Sequence, residues 1–213
     1  MTMDARQSAP ATLRNREPIL QVLKTVLPTE GTVLEVASGT GEHGVFFAPH
    51  FPQLQWIPSD PNPDARASIA AWQKFQSGDN LHPPLALDVC ERPWPLETEP
   101  FDTVDLAQFP VSAIVNINMI HISPWEACRE LLAGANRLLP SGGILYLYGP
   151  YKENNQHTAP SNEAFDQSLQ TRNPQWGIRN LEDVIELANT QNLQFVKKVS
   201  MPANNLSVIF QKK

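Results

Sequence analysis

The strongest indication of this chain's fold is the stretch Val33-Leu34-Glu35-Val36-Ala37-Ser38-Gly39-Thr40-Gly41-Glu42-His43. An apolar, β-branched run ends at a turn of small residues, and a segment with helical periodicity begins immediately after it. This order predicts a buried parallel strand, a tight turn, and a helix whose N-terminus opens above the strand end. Glycines suit such a turn because they tolerate positive φ and let a ligand approach the backbone. The helix N-terminus adds unpaired N–H groups, so the stretch predicts a crevice of nucleotide size.

Hydrophobic periodicity along the rest of the chain predicts five β/α units followed by an antiparallel strand pair. The expected class is α/β, with a doubly wound, Rossmann-like, mostly parallel seven-stranded sheet and a terminal antiparallel pair, in a single domain over 1–213. The predicted strands lie near 32–37, 54–60, 85–89, 113–119, 144–148, 193–200 and 206–210. The first predicted helix begins near Pro18 and is ended by Pro28, and a short second helix runs through His50. A third helix carries residues 69–75, and the others span about 123–138, 162–172 and 181–190.

Three segments carry further expectations. Residues 1–17 form an N-terminal arm that is a candidate lid, and 91–111 is an irregular, proline-rich excursion. The polar loop 149–162 is long enough to be a lid or a binding element. The sequence Ser123-Pro124-Trp125-Glu126 has the spacing of a capping box, and Asn180 is a predicted N-cap.

Composition restricts the function. A net charge of −6 over 213 residues disfavours nucleic acid, whose affinity rests on lysine and arginine. We expect neither a membrane span nor a signal peptide, because no apolar run is long enough. Cys90 and Cys128 have no metal-like spacing and form no disulfide framework, so we expect a cytoplasmic protein without a metal site.

Gly39-x-Gly41-x-x-Gly44 matches the dinucleotide fingerprint between a strand and a helix. Asp60 ends the second predicted strand, where its carboxylate can accept hydrogen bonds from both ribose hydroxyls. This arrangement is typical of NAD and of S-adenosylmethionine (SAM) sites alike, so it leaves the two cofactors open.

Two further acids distinguish them. Glu35 lies within a buried strand, which is costly unless a cationic or hydrogen-bonding partner meets it, and the ammonium of a methionine moiety is such a partner. Asp88 ends the third predicted strand, where it can accept the adenine amino group beside the Val89 N–H. An adenosine with an aminoacyl tail accounts for Glu35, Asp60 and Asp88 together.

Glu35-x-Ala37-x-Gly39-x-Gly41, followed by Asp60 and Asp88, resembles the motif series of class I SAM-dependent methyltransferases over about 31–148. Four segments are similar to a small methyltransferase-like family of unknown substrate: 14–20, 116–125, 147–151 and 201–206. The resemblance implies SAM as cofactor and S-adenosylhomocysteine as product. Ala37 departs from the motif, because many methyltransferases carry a glycine there, and its methyl group narrows the approach of the cofactor's tail.

His121 follows the fourth predicted strand, at the rim where open α/β sheets bind ligands. A neutral imidazole there can take a proton from a nucleophilic O–H or N–H. The alternative, a partly buried histidine bonded to a backbone carbonyl, is equally consistent with the sequence. Asn116 and Asn118 alternate with apolar neighbours, so we expect both side chains on one face and in contact with cofactor or substrate.

Tyr148 and Tyr151 flank a Gly-Pro pair at the end of the fifth predicted strand. We expect Tyr148 to be catalytic and Tyr151 to bind substrate, although tyrosines also commonly bury a ring and leave the hydroxyl wet. Arg14 and Asn15 are candidate substrate ligands, since a guanidinium suits a carboxylate. A solvated position at the helix start is the alternative for both.

These residues favour a methyltransferase that acts on a small molecule or a short peptide by direct transfer from the sulfonium. A non-catalytic SAM-binding sensor or partner module is the second hypothesis. An NAD(P)-dependent oxidoreductase is the third, but it leaves Glu35 and Asp88 unexplained and lacks a Tyr-x-x-x-Lys pair. The sequence does not indicate the oligomeric state.

Overall fold

The computed structural model describes residues 4–75, 78–98 and 100–213. Along them the elements are α1 (Pro10–Val26), β1 (Gly31–Val36), α2 (Glu42–Phe47), β2 (Leu54–Ser59), α3 (Pro63–Phe75), α4 (Pro95–Thr98), β3 (Val111–Ile117), α5 (Trp125–Leu138), β4 (Ile144–Gly149), β5 (Tyr151–Glu153), β6 (Gln156–His157), α6 (Pro160–Arg172), β7 (Arg179–Asn180), α7 (Leu181–Thr190), β8 (Leu193–Met201) and β9 (Asn205–Lys212).

Six of these strands form one sheet in the order β2-β1-β3-β4-β9-β8, and three short strands form another in the order β6-β5-β7. The expected α/β class, a large mostly parallel sheet with a terminal antiparallel pair, is confirmed. The chain separates into two compact units, the first ending at Val115 and the second beginning at Asn116.

The first unit is built around β1 and β2. These strands pair in parallel, from Gly31 opposite Leu54 to Val36 opposite Ser59. Every residue of β1 is buried, as expected of a parallel strand covered on both faces. Helix α1 packs against α2. The largest fully buried apolar side chains around this pair belong to Ile19, Leu20, Leu23, Leu34, Phe47, Leu54, Trp56 and Ile57.

The predicted third strand, 85–89, is wrong. Where this segment meets β2 the structure has only isolated bridges, one between Trp56 and Leu81 and one between Ser59 and Leu85. Pro83 and Pro84 lie between these bridges and have no N–H groups to donate to a ladder, and β2 ends at Ser59, opposite Leu85, so residues 86–89 extend past its end. The large sheet therefore has six strands among the described residues, whereas seven were expected.

The predicted start of the first helix is also wrong. Helix α1 begins at Pro10, and Pro18 lies inside it. Both prolines fit the helical φ, but only Pro10 occupies the first turn, where a missing N–H leaves no broken bond. Residues 10–17 of the expected arm are therefore helical, and the part of the arm at 1–3 lies outside the described residues.

The second unit contains the closing antiparallel strands. β4 pairs with β9 from Ile144 opposite Gln211 to Gly149 opposite Leu206, and β8 pairs with β9 across a short 3₁₀ turn. The predicted strand pair at the C-terminus is thus confirmed. Helices α6 and α7 lie close to the predicted ranges of 162–172 and 181–190.

Two local predictions in this unit are wrong, and a third is confirmed in position but not in bonding. The loop expected over 149–162 contains β5 and β6, which pair antiparallel. Ser123 does not cap α5, because its hydroxyl donates to the carbonyl of Met119 and the helix begins at Trp125. Asn180 does occupy the N-cap of α7 but makes no capping bond, since its Oδ1 accepts the Asn155 N–H.

Across the ranges that the structure describes, no helix combines the length and the apolar character needed to cross a membrane.

Candidate functional site

The turn after β1 is fastened to the end of β2 by two serines. The Ser38 N–H donates to the carbonyl of Ser59 at 2.8 Å, and the Ser59 N–H donates to Ser38 Oγ at 3.1 Å. Both hydroxyls also donate to the carbonyl of Glu35. These bonds satisfy the polar groups of a buried chain reversal. They hold the turn in a defined position at the carboxyl ends of the two strands.

Three residues of this turn have left-handed backbone conformations: Ala37 (φ 57°), Gly39 (φ 56°) and Gly41 (φ 88°). For alanine this conformation is strained, and strained residues concentrate at functional sites. Gly39 is exposed, and a Cβ atom added there would meet no atom within 4 Å. The backbone at Gly39 is therefore open to a ligand.

Asp60 lies directly beside this open turn. Its Oδ2 accepts the Gly39 N–H at 2.9 Å, and its Oδ1 accepts the Asn62 N–H at 2.9 Å. Asp60 is 7% exposed. A carboxylate oxygen has two acceptor sites, so each oxygen retains capacity for a hydroxyl donor. The predicted proximity of Asp60 to the glycine turn is therefore present in the structure.

Glu35 is buried behind the turn. Its Oε2 accepts the indole N–H of Trp56 at 2.7 Å. Burial raises the pKa of Glu35 from 4.5 to about 7; the hydrogen bond from Trp56 opposes this rise, and the negative charge of Asp60 adds to it. A Cβ at Gly44 would lie 2.6 Å from Oε2, so the absence of a side chain there makes room for the carboxylate. Glu35 thus holds a proton far more readily than an exposed glutamate.

Asp88 and Val89 lie on the segment that follows the bridge to β2. The Leu85 N–H donates to the carbonyl of Pro58, and the Asp60 N–H donates to that of Leu85. Asp88 is partly exposed, and its Oδ1 accepts the Cys90 N–H at 2.9 Å. Asp88 therefore belongs to a turn rather than to a strand end, and its contact with adenine stays a prediction, as does that of Val89.

The N-terminal arm is bonded to the glycine turn and to α3. The Ala9 N–H donates to Glu42 Oε2 at 2.5 Å, and the Gln7 N–H donates to Ser68 Oγ at 2.8 Å. Glu42 Oε2 also accepts the Thr40 hydroxyl, and Ser68 donates to the Thr40 carbonyl. Gln7 is therefore linked to Thr40 through the side chain of Ser68, and Ala9 is linked to it through the side chain of Glu42. Thr40 lies in the middle of the turn.

Arg14 and Asn15 differ in environment. Arg14 is exposed, whereas Asn15 is 6% exposed and its Oδ1 accepts the Nε2–H of His43 at 2.8 Å. Burial, together with the positive charge of Arg16, lowers the pKa of His43 to about 4. The Asn15 amide oxygen is thus engaged in binding a neutral histidine, and a substrate role for either residue stays a prediction.

His121 lies in the second unit, in the loop after β3. It is 3% exposed, and its Nδ1 has no hydrogen-bond partner among the described residues. Nδ1 would lie 3.1 Å from a Cβ at Gly149, and the ring meets that of Phe165 edge-on, 5.8 Å between centroids. Burial and the positive charge of Arg179 lower the pKa of His121 to about 4. The imidazole is therefore neutral near pH 7, with one buried nitrogen unsatisfied.

Three remaining candidates of the second unit are Asn116, Asn118 and Tyr148. The Asn118 N–H donates to the carbonyl of Tyr148 at 2.8 Å. Asn118 has φ 60° and follows the end of β3, so the strand alternation expected to align it with Asn116 does not extend to it. Asn116 and Tyr148 are 1% and 3% exposed.

Tyr151 is fully buried, and its hydroxyl has no hydrogen-bond partner within the described ranges. Burial raises its pKa well above the ordinary value. Substrate binding by Tyr151 stays a prediction, and it requires the hydroxyl to become accessible.

Two residues that contact the candidate site residues could not be identified from nearby sequence. Trp56, which binds Glu35, is 21 residues away and would have been found only from the strand register. Arg179, which contacts the His121 loop, is more than 50 residues away. Contacts at such separations depend on the tertiary fold and not on spacing.

Solved structures with this fold include an O-methyltransferase family protein from Burkholderia thailandensis, with a TM-score of 0.75 and 15% identity over 95% of this chain and 57% of that one. An O-methyltransferase family 2 protein from Planctomyces limnophilus, in complex with apigenin, has a TM-score of 0.69 and 21% identity over 93% of this chain and 61% of that one. CalO1, a methyltransferase in calicheamicin biosynthesis solved in its SAH-bound form, has a TM-score of 0.66 and 16% identity over 93% and 54%.

At these identities the likeness shows the fold alone. The chain also spans only 54% to 61% of the length of these three structures. A model of one sequence family matches residues 6–212, nearly the whole chain. The chain belongs to the family described as "Protein of unknown function (DUF938)".

Proposed function

We propose that this protein is a SAM-dependent methyltransferase that acts on a hydroxyl group of a small molecule. The observation that carries the proposal is the contact between the Asp60 carboxylate and the Gly39 N–H in a turn that is open in front of Gly39. Support for the chemistry comes from two proteins that share the fold, an O-methyltransferase family protein and the methyltransferase CalO1, which was solved with SAH.

The residues of the first unit fit an adenosyl cofactor with an aminoacyl tail. Asp60 would hold the ribose hydroxyls, and the backbone of Ala37, Gly39 and Gly41 would face the tail. Glu35 would accept the ammonium, which would return the buried acid to its charged form. When bound, SAM supplies an electrophilic methyl group on its sulfonium. NAD would bring no ammonium to Glu35.

In the second unit, we propose His121 as the general base. A neutral imidazole accepts a proton, and the low pKa keeps His121 neutral throughout the physiological range. Its buried, unsatisfied Nδ1 is the atom that would take the proton from an acceptor hydroxyl. We retain Asn116 and Asn118 as proposed cofactor or substrate contacts and Tyr148 as a proposed catalytic residue.

The proposed acceptor is a small molecule, as the apigenin complex of one structural neighbour illustrates. A short peptide remains within the proposal. The excess of acidic side chains opposes nucleic acid, since a net charge of −6 would repel a phosphate backbone.

The N-terminal arm is our proposed lid. Its bonds to Glu42 and Ser68 lie next to the glycine turn, so ordering of the turn by a ligand would also order the arm. The segment that would act is 4–9, because residues from Pro10 onward are already helical.

Asp60→Ala tests the cofactor site, with Asp64→Ala as the matched control on an exposed position four residues later. Hydrogen bonds to a charged group contribute about 1.5–3 kcal/mol each, so loss of two should weaken SAH binding at least ~100-fold. Asp64→Ala should bind normally. Equal affinity of a folded Asp60→Ala protein would remove Asp60 from the site. Tight SAH binding without turnover on any hydroxyl-bearing pool would instead support the non-catalytic hypothesis.

A further inference from the structure

The loop that carries His121 is held by a distant segment of the second unit. The Gly177 N–H donates to the carbonyl of His121 at 3.0 Å. Two residues later, Arg179 donates from Nε to the carbonyl of Ile120 at 3.0 Å and from Nη2 to that of Ser123 at 2.6 Å. One guanidinium therefore bonds the backbone on both sides of the histidine.

The segment that carries Arg179 is itself anchored. Asp166 is buried and accepts the Ile178 N–H at 2.7 Å, and it forms an ion pair with Lys152 at 3.1 Å. In β7, Arg179 pairs with Tyr151 in the parallel ladder with β5. Arg179 thus extends from a strand that is held in place by these contacts toward a loop without secondary structure.

Arginine is suited to this task in a way that lysine is not. Its planar fork presents donors with a fixed separation, which allows two carbonyls to be bonded at once, whereas an ammonium is a compact point charge. The guanidinium also lies 5.7 Å from the ring centroid of Trp125, a distance at which cations and indoles attract. These contacts restrict its rotation and define the position of the loop.

We propose that Arg179 is a positioning residue for His121: by bonding the carbonyls of Ile120 and Ser123, it fixes the direction in which Nδ1 points. The inference rests on the proposed function for the role of His121 in catalysis, but the positioning itself does not depend on it. Neither the sequence motifs nor the family match assigns a role to Arg179.

The charge of Arg179 has a second effect on the same histidine. Of the groups that contact the ring, Phe165 of α6 and Gly149 of β4 are uncharged, and the positive charge of Arg179 lowers the pKa of His121 in addition to burial. Removing the guanidinium should therefore raise the pKa of His121 while loosening the loop. This charge effect acts through space, so a variant that keeps the charge is needed to separate it from positioning.

The test is nuclear magnetic resonance of the histidine ring in the ligand-free protein. The chain has five histidines, and the His121→Asn spectrum assigns the His121 signals by their absence. Arg179→Met keeps an unbranched apolar stem but removes the charge and the donors, and Arg172→Met is the control at an exposed arginine of α6. In Arg179→Met we expect the His121 signals to shift and its pKa to rise; in Arg172→Met both should match the wild type.

Arg179→Lys separates geometry from charge and guards against misfolding of Arg179→Met. Because lysine retains the charge but not the fork, its His121 pKa should stay low while the ring signals move or broaden. Turnover should fall about 10- to 100-fold, as expected of a displaced catalytic group, with the KM for SAM unchanged.

Unchanged His121 signals in a folded Arg179→Lys or Arg179→Met protein would overturn the positioning role. If no acceptor is ever methylated, the proposed methyltransferase function fails, but the ring signals of His121 still test whether Arg179 positions the histidine.

Discussion

Replacing Gly41 by alanine should destabilise the protein far more than the same change at Gly39. A Cβ at Gly41 would lie 2.8 Å from both Cα and Cγ1 of Ile69, and one of those atoms is backbone that cannot swing aside. At Gly39 the added atom would meet nothing within 4 Å. Both positions have positive φ, so the pair isolates the contact with Ile69 from the cost of the conformation.

The magnitudes follow from three effects. A left-handed alanine costs ~1–2 kcal/mol, and overpacking a fitted contact costs ~1–3 kcal/mol. Loss of glycine flexibility in the unfolded chain returns ~0.4–1 kcal/mol. The free energy of unfolding should therefore fall by about 2–4 kcal/mol for Gly41→Ala and by about 1 kcal/mol for Gly39→Ala. At roughly 2–4 °C per kcal/mol for a chain of this size, the melting temperatures should differ by several degrees.

Urea unfolding and SAH titration of both variants provide the assay. Gly39→Ala should be the more stable protein and yet lose at least ~10-fold in SAH affinity, because its methyl group would occupy the space in front of the turn. Equal unfolding midpoints for the two variants would refute the packing argument. Undiminished SAH affinity of Gly39→Ala would refute the assignment of that space to the ligand.

The other predictions concern protonation and the arm. Because burial raises the pKa of Glu35 from 4.5 to about 7, the folded state binds this proton more tightly than the unfolded chain does. The stabilisation that results is complete below pH 4.5 and is lost as the pH rises through 7. The urea midpoint of the wild type should therefore decline over this range, and Glu35→Gln should remove the decline. Since the pKa of His121 is lowered to about 4, a histidine limb in the pH profile of kcat should lie near pH 4, and a limb near 6.5 would contradict the neutral buried base. SAH should slow hydrogen exchange at the amides of Gln7 and Ala9, and unchanged exchange would remove the arm as a lid.

The core of the fold could be predicted because its signals are local. The run Val33–Val36, the small residues after it and Asp60 follow one another closely enough for periodicity and turn chemistry to identify them. The antiparallel pair at the C-terminus could be predicted equally well, since only a few residues separate its two strands.

The third strand could not be predicted in the same way. Leu85–Val89 has strand composition, but whether it pairs is decided by the two prolines before it and by the neighbouring strand β2. Composition describes what a segment prefers, and the ladder depends on donors that Pro83 and Pro84 do not have.

The candidate site was predictable in residue type more than in contacts. Glu35 and Asp60 were expected near the turn, and Asp60 does bond Gly39. The partner of Glu35 in the free protein is Trp56, a contact that arises only from the parallel register of β1 and β2. Arg179 reaches the His121 loop across more than 50 residues, which no local pattern reports.

Calorimetric titration of the unmodified protein with SAM, SAH and NAD is the decisive experiment for the proposed cofactor site. Glu35, Asp60 and the open turn at Gly39 predict that SAM and SAH bind and NAD does not. Binding of SAM below pH 7 should also release a proton, because the ammonium requires a charged Glu35. Binding of NAD alone would contradict the proposed function and leave Glu35 as a buried acid whose partner is Trp56.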